Sequence, residues 1–98
     1  MARKGWILST DLFRELGFDV EDSENLRIRA DLMMELSELI EKRGWTQAQA
    51  AEIMGVSQPR ISDLVRGKID LFSIDTLIAM LGSAGVRVRI TTSASQVA

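Results

Sequence analysis

The chain has 98 residues, 46% of them hydrophobic and 27% charged, which gives room for one domain around a single modest core. It holds no cysteine and no histidine, so disulfides, thiolate nucleophiles, thiolate zinc sites and the commonest general base are all excluded. The net charge of −2 looks unsuited to a polyanionic partner, but it is spread unevenly: residues 1–10 carry +2, residues 11–41 carry −7, residues 42–69 carry +3 and the remainder balances.

The chain also lacks a G-x-S-x-G elbow and a phosphate-cradling glycine loop, so neither an enzyme nor a cofactor is expected. No apolar run approaches the roughly 18 residues of a membrane span. The basic start Arg3-Lys4 is followed only by Trp6-Ile7-Leu8 before Asp11, too short for a secretory signal core, so a cytoplasmic protein is expected.

Residues 1–22 read as an N-terminal extension. Its apolar residues Trp6, Ile7, Leu8, Leu12, Phe13, Leu16 and Phe18 either pack on the chain's own core or cover a partner. Leu26, Ala30, Met33, Leu36, Leu39 and Ile40 then recur every three or four residues, predicting an amphipathic helix from Leu26 to Ile40. Asp22 or Ser23 is its candidate cap, and Lys42 and Arg43 suit its negative end before Gly44. The cluster Asp19 to Glu24 lacks the spacing and turn glycine of a calcium loop and reads as a solvated helix start.

Thr46 and Gln49 have capping-box spacing for a short helix over about Gln47–Met54, with Trp45 as an apolar staple. Gly55 supplies a positive φ in the turn that follows, and small Ala50 and Ala51 let two helices cross closely. A third helix carries Ile61, Leu64 and Val65 inward and closes at Gly67. Its start has two readings: either Ser57 is the cap and bonds the amide of Arg60, since Pro59 has none, or Gln58 is the cap and the helix begins one residue later.

Ser73 caps a fourth helix with Ile74, Leu77, Ile78 and Leu81 on one face, ending between Gly82 and Gly85. Beyond Gly85 the period becomes two, Val86, Val88 and Ile90 against Arg87, Arg89 and Thr91, which predicts a half-buried strand. It would pair with the same strand of a second copy or with Trp6-Ile7-Leu8. The expected organisation is therefore an extension at 1–22, a helical domain at 23–85, and a C-terminal strand and frayed tail at 86–98. Met33 and Met54 are read as core filler.

Two short helices about a glycine turn, with polar residues at the start of the second, have the spacing of a DNA-reading helix-turn-helix. A major groove about 12 Å wide admits one helix, whose amino-terminal side chains meet base edges. Gln58, Arg60 and Ser62 are the expected base contacts, glutamine suiting adenine and arginine guanine. Gln47, Ser57, Arg66 and Lys68 are the expected phosphate contacts. The plain alternative for each is an ordinary solvated surface residue.

The pattern T-Q-x-x-x-A-x-x-x-G-V-S-Q-x-x-I-S-x-x-x-x-G over Thr46–Gly67 resembles the Cro/repressor-like (XRE) helix-turn-helix family, across about residues 23–84. Phe13 to Phe18, Arg29-Ala30-Asp31-Leu32-Met33, and Arg66 to Ser73 are similar to the HigA-type antitoxin branch. The resemblance implies a mainly α, Cro/repressor-like bundle of four to five helices, here with one C-terminal β-strand, and a homodimer on a palindromic operator. In the antitoxin branch it also implies a RelE-like ribonuclease toxin as partner and repression of the protein's own operon. The other readings are a stand-alone or phage-type regulator and a protein-interaction module. The acidic total and the strand in place of a fifth helix are the two departures from the family pattern.

Overall fold

The computed structural model describes residues 20–94. These form helix α1 (Val20–Arg43), α2 (Gln47–Met54), α3 (Gln58–Val65), a 3-10 turn (Ile69–Leu71) and α4 (Ile74–Ser83). The apolar cluster between Trp6 and Phe18 lies outside the described residues.

Helix α1 buries Leu26, Met33, Leu36 and Ile40 along one side, as the periodicity predicts. It starts earlier than expected. The chain is already helical at Val20, so Asp22 and Ser23 lie within α1 and neither caps a helix beginning at Leu26. Ser23 is instead fully buried, and its hydroxyl has no hydrogen-bond partner among the described residues. Acids near a helix start favour any of several turns, so local sequence could not fix which turn came first.

The core is assembled where α1 packs on α4, and α2 on both α3 and α4. Leu36, Ile61, Leu64, Phe72 and Leu77 at its centre are essentially closed to water, each contributing about 1.5–3 kcal/mol by burial. Ala50 and Ala51 are both buried, and the absence of longer side chains there lets α2 come close to its neighbours. Met33, Met54 and Met80 fill the remaining core space. Val65, expected inward, is 42% exposed. It follows Leu64 by about 100° around the helix and so turns away from the core at the last residue of α3.

A long-range polar contact also holds α1 to the far part of the chain. The Arg29 guanidinium donates through Nη1 to the carbonyl of Ile69, 3.1 Å away, joining α1 to the 3-10 turn.

The C-terminal strand is absent: residues 86–94 carry no regular secondary structure. The period of two survives only as burial, with Val86 and Val88 packed against the core while Arg87 and Arg89 face water. A strand is defined by a hydrogen-bonded ladder, and no second strand exists among the described residues to supply one. Ile90 is left 73% exposed.

Candidate nucleic-acid interface

The start of α2 is closed by two reciprocal hydrogen bonds. Thr46 Oγ1 accepts from the amide of Gln49 at 3.1 Å, and Gln49 Oε1 accepts from the amide of Thr46 at 2.9 Å. This is the capping box that the T-x-x-Q spacing predicts. First-turn amides have no acceptor within their own helix, so those of Gln47 and Ala48 remain available to an anion. The Gln47 side chain is half-buried beside them.

The turn after α2 depends on Gly55, whose φ of 71° is left-handed and whose amide bonds the carbonyl of Ala51. A side chain here would meet nothing within 4 Å, so the requirement is one of backbone conformation rather than space. The amide of Val56 also bonds Ala51, at 3.0 Å.

At the start of α3 the structure decides between the two cap readings. Ser57 is the cap, its Oγ accepting from the amide of Arg60 at 3.3 Å, with Pro59 in the first turn. Since proline has no N–H and the amide of Arg60 is taken, Gln58 carries the one free amide at this end. The Ser57 hydroxyl retains its own proton to donate outward.

Ile61 and Leu64 anchor α3 on the core, so the opposite side of the helix is presented to solvent. Gln58 and Arg66 are exposed and Ser62 is half-exposed. Gln58 and Ser62 lie about 40° apart around the helix axis and so share a face. Arg60 does not join them. It lies about 200° from Gln58, is half-buried, and stacks its guanidinium 4.7 Å from the centre of the buried Phe72 ring.

Arg66 caps the C-terminal end of α3 and Lys68 follows it, both exposed. Lys68 Nζ is 3.7 Å from Asp63 Oδ1, with the lysine side chain 49% exposed. Such a solvated pair is worth roughly 0–1 kcal/mol, so it leaves the ammonium free to exchange Asp63 for a phosphate. Sequence reasoning missed the surroundings of Arg60, because Arg29 and Phe72 reach it across 31 and 12 positions of chain. The only local signal was Asn25 one helical turn before Arg29, where Nε donates to Asn25 Oδ1 at 2.6 Å.

Two capped short helices at a left-handed glycine, with α3 held by its apolar side and its polar side turned out, define a DNA-binding helix-turn-helix protein. A family model described as "Helix-turn-helix domain" matches residues 12–93, and the chain belongs to that family. No curated protein matches it. Among solved structures, one described as "Putative XRE Family Transcriptional Regulator" is 28% identical, with a TM-score of 0.71 over 78% of this chain and 85% of its own. The chain is thus of the XRE helix-turn-helix type, a class of DNA-binding regulators rather than of enzymes. No described helix is long and apolar enough to cross a membrane.

Proposed function

We propose that the protein is a sequence-specific repressor in which Gln58 and Ser62 meet base edges while Gln47, Ser57, Arg66 and Lys68 hold phosphates. The observation that carries this reading is the face shared by Gln58 and Ser62 at the start of α3, a helix held on the core by Ile61 and Leu64. Side chains supply selectivity at this helix start, and amides supply register at the start of α2. Arg60 can join the base-reading set only by leaving the Phe72 ring.

The reading extends to a homodimer on a palindromic operator, with its two α3 helices about 34 Å apart. Ile90, exposed beyond the core-packed Val86 and Val88, favours contact with a second copy. The antitoxin role, with a RelE-like ribonuclease as partner, rests on the resemblance of Arg29 to Met33 and Arg66 to Ser73 to the HigA-type branch. Co-expression with the product of the adjacent gene tests it, and a neighbour that is no toxin would leave a stand-alone regulator.

The test of base reading is Gln58→Ala in a gel-shift against operator variants. It should lose about 1–3 kcal/mol of preference at one base pair while binding to scrambled duplex stays as it was. Unchanged preference at every position would remove Gln58 from the reading set. Duplex binding insensitive to salt would replace the whole proposal with a protein-interaction role.

A further inference from the structure

We infer that Arg60 and Arg29 form a seat for a single phosphate-type oxyanion, in which Arg60 serves as an anchor rather than a base reader. The two guanidiniums line one cavity of about 410 Å³ with Asn25, Ser73 and Thr76. Its occupant on this reading is a backbone phosphate of the bound duplex, so the inference rests on the DNA-binding reading for its source of anion; a free phosphate is the other source of the same chemistry.

Three observations converge. First, neither guanidinium is in an ion pair with a carboxylate among the described residues, although exposed Asp70 also borders the cavity. Arg29 directs its contacts to neutral acceptors, Asn25 Oδ1 and the Ile69 carbonyl, which leaves further N–H groups of its fork without a partner among the described residues. Two cations without a carboxylate partner in one half-enclosed space are most readily satisfied by an anion from outside.

Second, the stack on Phe72 fixes where the Arg60 charge sits. The ring is 1% exposed, so the guanidinium sits over a rigid floor, and among the described residues its N–H groups have no carboxylate partner and can bond an oxyanion. Third, the cavity borders the start of α4. There Ser73 Oγ takes the amide of Thr76 at 3.1 Å and bonds its hydroxyl at 3.0 Å, leaving the amides of Ile74 and Asp75 without acceptors in the helix.

The test compares wild type, Arg60→Gln and Arg60→Lys in duplex binding at several salt concentrations, and in amide NMR titrations with inorganic phosphate without DNA. Arg60→Gln should weaken operator and scrambled duplex alike, by roughly three- to tenfold, and reduce the slope of log affinity against log salt by about 0.9. Base preference should be unchanged, and Arg60→Lys should recover most of the slope. If inorganic phosphate shifts the Ile74 and Asp75 amides of wild type but not of Arg60→Gln, while the duplex salt slopes agree, the seat stands with a free anion as occupant.

Loss of preference at one base pair with an unchanged salt slope would make Arg60 a base reader and overturn the inference. So would the absence of both the slope change and the amide shifts. A wild type that binds no duplex would defeat the DNA-binding reading by itself, and the phosphate titration would then decide on the seat alone.

Discussion

Helices α2 and α3 are each eight residues long and each opens on a hydroxyl cap, yet their starts are built differently. At α2 two reciprocal bonds of 2.9 and 3.1 Å close the end, and two amides stay free. At α3 a single bond of 3.3 Å does the capping, and Pro59 removes a donor. Local hydrogen bonding therefore fixes the start of α2, whereas the start of α3 leans more on Ile61 and Leu64 being driven into the core. The two ends are thereby suited to different contacts. Helix α2 presents main-chain donors for a phosphate, which reads no sequence, and α3 presents the side chains of Gln58 and Ser62.

The comparison can be broken most directly at Ile61. Because this side chain is fully buried, Ile61→Ala should destabilise the protein by about 2–5 kcal/mol, measured by denaturant unfolding. A loss below about 1 kcal/mol would mean that burial is not what holds α3. Next in size is Thr46→Ala, which opens the capping box and should cost about 1 kcal/mol. Ser57→Ala should cost less, because it removes one longer bond; an equal or greater loss than at Thr46 would erase the distinction between the two starts.

The smallest change in stability is expected for Lys68→Ala. Losing its exposed pair with Asp63 should alter the unfolding free energy by no more than about 0.5 kcal/mol. The same variant should bind every duplex more weakly and with a salt slope smaller by about 0.9. An unchanged slope would show that Lys68 stays with Asp63 and touches no phosphate.

What could be read in the sequence was whatever is settled within a few residues. The T-x-x-Q box, the left-handed Gly55 and the Ser73 cap depend on neighbours in the chain, and each appears as predicted. The choice between Ser57 and Gln58 needed only the geometry around Pro59. By contrast, the start of α1 at Val20 and the burial of Ser23 depend on what packs beside them, which acids at 21, 22 and 24 do not encode. The same limit hid the Arg60 stack, since Phe72 is brought beneath the guanidinium by the 3-10 turn and not by helical spacing. Alternation after Gly85 correctly placed Val86 and Val88 toward the core, but a period of two says nothing about whether a second strand is there to pair.

The exposure of Ile90 links structure to dosage. A branched aliphatic side chain 73% open to water gains burial when another surface arrives to cover it. If that is a second copy, coverage obeys mass action, and occupancy of a two-fold site climbs more steeply than the first power of protein concentration. The cell's own stock of the protein would then act as the input signal, with no effector molecule required.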